Sequence, residues 1–476
     1  MTSLPFALQH SLPMVILGLG AMALLMIGAF RGPRSSGLVT ELACGLLALC
    51  ILVTAVEPHG RAIVFDAFVD DAFSRFAQVL ALTGSLMTLI MSGEFMRAKR
   101  LDAFEFPVLI LLSTLGMMVL ISATSLIAVY LGLELMSLAL YVLAAFYRED
   151  LRASEAGLKY FVLGALSSGM LLYGASLLYG FSGSVSFTGI AAAVQGHASI
   201  GVVFGLVFFI SGLAFKMSTA PFHMWTPDVY EGAPTPVTAF FASAPKMAAV
   251  AVTVRVVIIA FPGILAEWQQ IIAFIAIASM ALGSFAAIAQ ANLKRMMAYS
   301  AIGQMGFALV GLASGTQQGV FGVAIYLSIY LTTVLAVFAV LLSLRVGGEY
   351  VEKISDLSGL ARSNAPMAFV LAVAMFSLAG IPPLAGFFAK FYVFNAAVQA
   401  HLYPLAIIGV VTSVVALFYY LWIVKVMYFD EAAAPFDKQS PVLKTVMAVA
   451  CALLVLFWVF PAPIVAAANA AAQSLF

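Results

Sequence analysis

The sequence predicts an all-α polytopic membrane protein with about fourteen transmembrane helices, and three observations carry that expectation. The 476 residues are 64% hydrophobic and only 9% charged, with a mean hydropathy of +1.10, which excludes a water-soluble globular chain. Asking for ~20 apolar residues per crossing divides the chain into fourteen apolar segments joined by short loops. Basic residues then fall in every second loop, the asymmetry that orients membrane proteins.

In order, the first three segments are 11–30, 38–56 and 73–93, within an N-terminal unit of 1–100. The first begins near Leu12 with no basic flank and no small-residue cleavage site, so it is expected to stay as a span and not be removed as a signal. Spans four to eight, 104–122, 124–146, 156–180, 200–219 and 236–260, form a first five-helix unit over 104–260. Spans nine to thirteen, 268–290, 299–313, 320–344, 365–381 and 403–428, form a second over 268–430, and 441–461 supplies the fourteenth span in a C-terminal helix unit of 441–476. No soluble module interrupts these, so the chain reads as one transmembrane domain.

The seventh and twelfth spans are expected to be discontinuous. In Phe215 to Pro236, Pro221 lacks a backbone donor and clashes with the preceding turn, so the helix entering from Gly201 should open there and resume over 222–232. Its freed carbonyls need protein or water, since lipid cannot satisfy them. Ser377 to Lys390 repeats the combination of prolines, glycines and one lysine, and the helix should resume over 384–400. The two breaks are five spans apart, which fits two five-helix repeats; an odd number of spans makes them inverted in the membrane, as in many ion transporters.

Arg31, Arg34, Arg97, Lys99, Arg100, Arg148, Arg152, Lys294, Arg295, Arg345, Lys353, Arg362, Lys438 and Lys444 share one side. The other side carries Arg61 and Arg75 among acidic Glu57, Asp66, Asp70, Asp71 and Glu267. The basic side is therefore expected to be cytoplasmic, with both termini on the opposite face. A net charge of +1 with no basic patch argues against nucleic acid. Cys44, Cys50 and Cys451 sit in apolar runs without metal-ligand spacing and read as inert. Neither a dinucleotide fingerprint nor a P-loop nor an iron–sulfur cysteine run is present.

Four charges lie near mid-span, where snorkelling cannot reach water: Glu134, Lys216, Lys246 and Lys390. One reading makes each a structural staple that specifies helix packing. The other makes them functional, the default for ionisable groups inside a membrane. Three lysines against one carboxylate leave at least two ammonium groups without a strong counter-ion, and a lysine that can be charged or neutral carries protons. Glu134 is the expected partner of Lys216. His223, just past Pro221, is either a satisfied hydrogen-bonding residue or a relay between Lys216 and Lys246. Lys159, about a turn inside the sixth span, and Lys294, just before the tenth, are either snorkelling anchors or proton-uptake residues. Arg255 and Lys425 are expected near the interfaces, and Asp228 and Glu231 at the end of the short helix after the first break.

The runs Leu126 to Leu138, Phe215 to Pro236, Ser243 to Lys246, Asn292 to Gln304 and Gly380 to Lys390 together resemble the antiporter-like membrane subunits of respiratory complex I, NADH:quinone oxidoreductase. The resemblance spans about 105 to 430, and the run Thr226 to Pro234 is its most specific part. It implies a fourteen-helix fold with inverted repeats broken in the seventh and twelfth helices. It also implies a coupling pair at Glu134 and Lys216, a central relay at Lys246, an exit-side residue at Lys390, and a functional lysine at 159. By the same resemblance the chain is a bacterial inner-membrane, proton-translocating subunit that binds no cofactor itself. NADH, FMN, iron–sulfur clusters and quinone would sit in other subunits, and its partners would be the lipid bilayer, an antiporter-like neighbour and small membrane subunits. The rival is a subunit of the related multisubunit cation/proton antiporters.

Overall fold

The computed structural model describes residues 4–56, 60–196, 199–431 and 435–476; Glu57 lies outside them. Among the described residues, twelve helices are long and apolar enough to cross a membrane, and two shorter apolar helices, Ala365–Ala379 and Pro441–Leu456, bring the spans to fourteen. They are α1 (Leu12–Arg31), α2 (Ser36–Val56), α3 (Ala72–Ala98), α4 (Glu105–Ser122), α5 (Leu126–Ala144), α6 (Leu151–Ser182) and α7a (Ile200–Met217), which resumes as α7b (Thr226–Gly232). Then come α8a (Thr235–Ala242) and α8b (Ala244–Arg255), α9 (Leu265–Ile288), α10 (Leu293–Ala313), α11 (Gln317–Leu341), α12a (Ala365–Ala379) with α12b (Ala385–Gln399), α13 (Tyr403–Phe429) and α14 (Pro441–Leu456).

Several boundaries differ from the expectation: α6 begins at Leu151 and not at 156, α3 runs on to Ala98, and the helix after the first break resumes at Thr226 and not at 222. Two further differences have a local cause. The tenth span starts at Leu293 and not at 299, because Asn292 caps it by accepting from Arg295 N at 3.1 Å. Lys294 and Arg295 depress the hydropathy of that first turn and hide it from a window count. The eighth span is two helices, hinged at Ser243 with φ −110° and ψ −100°. Pro245 sits in the first turn of the second piece, where its missing N–H costs nothing.

The helix spans of α8, α10 and α11 are 94% buried within the chain, whereas those of α1 and α2 are 28% buried. The first three therefore form the centre, and any charge they carry is shielded from lipid by protein.

The two five-helix units correspond residue by residue at three places. Leu126 N donates to Val185 O and Phe187 N to Thr124 O, both at 2.9 Å; Leu293 N donates to Glu352 O at 2.8 Å and Ile354 N to Ala291 O at 2.9 Å. Thus the start of α5 pairs with the chain after α6, and the start of α10 with the chain after α11. At the α4–α5 crossing a Cβ on Gly116 would lie 2.3 Å from Met136 N, and at the α9–α10 crossing a Cβ on Gly283 would lie 2.5 Å from Gly303 N. Both crossings need glycine for backbone contact. Finally, α7a and α12a each end on a left-handed residue, Ser218 (φ 62°) and Gly380 (φ 85°). A cis proline follows in each break, Pro221 and Pro383.

Candidate functional site

An interrupted helix leaves its last carbonyls without intrahelical donors, and a membrane interior offers no water to replace them. At the end of α7a three of them are met by different groups. Ala214 O accepts from Thr219 N at 2.9 Å, Phe215 O from Trp225 Nε1 at 3.0 Å, and Met217 O from Lys246 Nζ at 3.2 Å. At the end of α12a, Phe376 O accepts from the backbone N–H groups of Gly380 and Ile381, Leu378 O from Gln304 Nε2 at 3.0 Å, and Ala379 O from Lys390 Nζ at 3.0 Å. Two of the mid-membrane lysines thus terminate the two broken helices.

This answers the question of counter-charge. The C-terminal end of a helix carries roughly half a negative charge, so Lys246 and Lys390 have electrostatic partners that are not carboxylates. Lys246, 1% exposed, also donates to Ser218 Oγ at 2.8 Å, and its Nζ lies 5.8 Å from the Tyr230 ring centroid. Lys390 also donates to Ser413 Oγ at 2.7 Å and lies 4.5 Å from the Phe307 ring centroid. It borders a small void of about 10 Å³ with Tyr330, Thr333 and Ser377, room for about one water. Beyond that void, Gln304 Nε2 donates to Tyr420 OH at 3.0 Å, Tyr420 OH shares a proton with Ser300 Oγ at 2.6 Å, and Tyr326 OH donates to Gln304 Oε1.

Lys216 and Glu134 are not in contact. Lys216 Nζ donates to Tyr141 OH at 3.1 Å and lies 5.1, 5.8 and 5.3 Å from the ring centroids of Tyr141, Tyr160 and Phe215. Three aromatic faces stabilise a cation without discharging it. Among the described residues, Glu134 makes no ion pair, and its buried Oε1 has no hydrogen-bond partner. The expected pair is therefore open in this structure, with the lysine held by rings.

The secondary candidates separate clearly. His223 makes no hydrogen bond to either lysine; it stands between exposed Pro221 and Met224, its buried Nδ1 unpartnered. Lys246 reaches the residue next to Lys216 without it. Lys159 forms ion pairs with Glu155 at 2.6 Å and Asp228 at 2.8 Å on the basic face. Asp228, in the first turn of α7b and not at its end, also pairs with Arg295 at 2.7 Å, and Glu231, in its last turn, pairs with Arg295 at 3.0 Å. Lys294 lies inside the first turn of α10, buried, paired with Glu352 at 2.7 Å and donating to Ala233 O at 3.1 Å. It is a buried bridge and does not snorkel. Lys425 is near an interface as expected, half-exposed beside Asp430. Arg255 sits at the level of the span ends, as expected, but within protein: it is 1% exposed, donates to Ile121 O near the end of α4 and holds Asp71, the N-cap of α3, with two hydrogen bonds of 2.7 and 2.8 Å.

Reasoning from sequence missed Tyr141, Tyr160, Gln304, Glu352 and Ser413. Gln304 ends the run from Asn292 and Tyr141 lies three residues beyond the run that ends at Leu138, yet their pairing with residues 74 and 75 positions away arises only on folding.

The family profile described as NADH:quinone oxidoreductase/Mrp antiporter, TM matches residues 123–416. The chain is similar to the NADH-quinone oxidoreductase subunit N of Beijerinckia indica, 65% identical over 100% of both chains. It is 59% identical to that of Methylobacterium nodulans over 99% of this chain and 98% of the other. Among solved structures it resembles a chain of respiratory complex I from Thermus thermophilus, with TM-score 0.83, 32% identity and coverage of 95% and 98%. It shares its fold with a chain of the Mrp complex from Dietzia, TM-score 0.87 at 20% identity over 98% and 97%.

Proposed function

Because the chain belongs to the subunit N family of NADH-quinone oxidoreductases, we propose that Glu134, Lys216, Lys246 and Lys390 are the successive proton carriers of this proton-translocating membrane-arm subunit. Quinone reduction elsewhere in the complex alters charge along the arm and makes Lys216 alternate between Glu134 and its aromatic site. Release from Glu134 lets Lys216 give its proton toward Lys246, and Lys390 passes a proton to the outer face. Lys159 and Lys294 serve proton uptake from the basic face. His223, touching neither lysine, is at most a water-bound side branch of the path.

The chain works as a translocase without redox chemistry of its own; NADH, FMN, iron–sulfur clusters and quinone belong to other subunits. Its neighbours are an antiporter-like subunit and small membrane subunits. It sits in the bacterial inner membrane with the basic loops cytoplasmic and both termini periplasmic.

The observation that supports this reading most is that Lys216, Lys246 and Lys390, at 4%, 1% and 6% exposure, are all held by uncharged oxygens. A lysine paired to a carboxylate gives up its proton less readily than one held by carbonyls and hydroxyls, whose release strands no anion. In vesicles containing the assembled complex, Lys246→Ala and Lys246→Arg should both abolish quinone-driven proton uptake and slow quinone reduction, arginine because it cannot deprotonate. Full pumping by either variant would overturn the assignment. A subunit of a cation/proton exchanger would instead purify without the iron–sulfur and flavin subunits.

A further inference from the structure

Three features converge on one hydroxyl that no role has yet claimed. First, Tyr141 OH is the hydrogen-bond partner of Lys216 Nζ, at 3.1 Å. Second, Tyr141 is only 7% exposed, yet with Val142, Leu158 and Phe161 it lines an open cavity of about 1230 Å³ between α4, α5 and α6. The lining of that cavity also includes Lys99, Tyr147 and Arg148 of the basic face, and its volume far exceeds what one water needs. Third, the fold reserves space for this oxygen: a Cβ on Gly164 would lie 2.1 Å from it. Nearby, Ser168 Oγ and Glu134 Oε1 are buried with no partner, and Glu134, Ser137 and Tyr141 share one face of α5 at helical spacing.

We propose that Tyr141 is a proton-transfer residue of this subunit, passing protons from the basic-face cavity to Lys216. It rests on the carrier role of Lys216 given above. In the step, neutral Lys216 Nζ takes the phenolic proton as the Tyr141 oxygen receives one from a cavity water. The phenolic O–H and one water O–H break while an N–H and a new phenolic O–H form, so no phenolate accumulates, and the hydroxide left behind takes up a proton from the basic-face medium. The groups that face the hydroxyl are Lys216 of α7a, Glu134 and Ser137 of α5, Ser168 of α6 and, through its ring, Tyr160.

The test uses the whole complex in sealed vesicles. Tyr141→Phe keeps the ring, its T-shaped contact with Tyr160 at 4.9 Å and its cation–π face, and removes only the oxygen. Gly164→Ala keeps the oxygen and displaces it. Both should slow quinone-driven proton uptake about a hundredfold, the low end of what a positioned proton donor contributes. In both, the residual rate should fall steeply as the basic-face medium is made alkaline, where wild type does not, a change that loosened packing would not produce. Lys216→Ala is measured in parallel. If it is inactive while Tyr141→Phe and Gly164→Ala pump at the wild-type rate with the wild-type pH profile, the Tyr141 assignment fails alone. If Lys216→Ala pumps normally, the carrier reading beneath it fails.

Discussion

Lys246 donates from Nζ to the carbonyl oxygen of Met217 at 3.2 Å, so the ammonium of one helix closes the open end of another. Met217 is covalently next to Lys216. The two residues proposed as carriers are therefore joined by one peptide unit and one hydrogen bond. Lys390 closes α12a on Ala379 O in the same way. In both repeats a helix end supplies about half a negative charge where a carboxylate would have fixed the proton in place.

Ser218 contributes both a left-handed backbone and a hydroxyl to Lys246. Ser218→Gly eases the first and deletes the second. Since a left-handed non-glycine residue costs about 1–2 kcal/mol and a hydrogen bond to a charged group contributes about 1.5–3 kcal/mol, thermal stability should change little while proton uptake falls. A variant that pumps like wild type would show the hydroxyl to be dispensable.

Gly380 adopts φ 85°, and a Cβ there would lie 2.9 Å from Lys390 Cδ. Gly380→Ala should cost about 1–2 kcal/mol from the backbone alone and push Lys390 off Ala379 O. Ser413→Ala removes one of the two hydrogen bonds to Lys390 and should be the milder change. Equal turnover in the two variants would contradict the geometry.

The Asp71 carboxylate and Arg255 form a pair that is 1% exposed on each side. Burial pushes the Asp71 carboxyl up, but the Arg255 guanidinium and the hydrogen bonds from Ser74 more than reverse this and hold it below the usual carboxylate range. A depressed carboxyl stabilises the fold above its unfolded value, about 3.9, and loses that contribution as pH falls through the folded value. Stability at neutral pH should thus be insensitive to pH through this group. Asp71→Ala strands a buried guanidinium and should cost about 3–5 kcal/mol, measurable as a lower melting temperature of the purified complex. A melting curve unchanged from wild type would mean the pair is not formed.

Glu352 is the carboxylate that pins Lys294 against the chain break at Ala233, whereas Lys159 lies 40% exposed between two acids. Glu352→Gln should slow proton uptake and leave the complex assembled. Lys159→Ala should alter stability by no more than about 1 kcal/mol, as for other surface pairs, so any large loss of pumping there reports function. Stopped-flow uptake at the basic face separates the two; if Glu352→Gln is silent, Lys294 is structural.

Hydropathy and loop charge were enough to count the spans because lipid imposes length and sidedness on every crossing. Proline and glycine likewise marked both breaks. The Ser243 hinge escaped because Pro245 is compatible with the start of a helix and gives no sign of what precedes it. The buried lysines stood out by charge alone, but their partners did not. Carbonyls of Met217 and Ala379 have no sequence signature, and the aromatic site of Lys216 is assembled from rings that any apolar helix might carry. Lys294 was misplaced by its own charge, which lowered the apparent hydropathy of the turn it occupies.

Glu134 is half-buried, set beside the outward stripe of Ile127, Leu131, Leu138 and Val142 on α5. Whatever abuts that stripe therefore completes the surroundings of Glu134. A subunit packed there would touch the wall from which the proposed exchange with Lys216 starts, so part of that site is built by a chain other than this one.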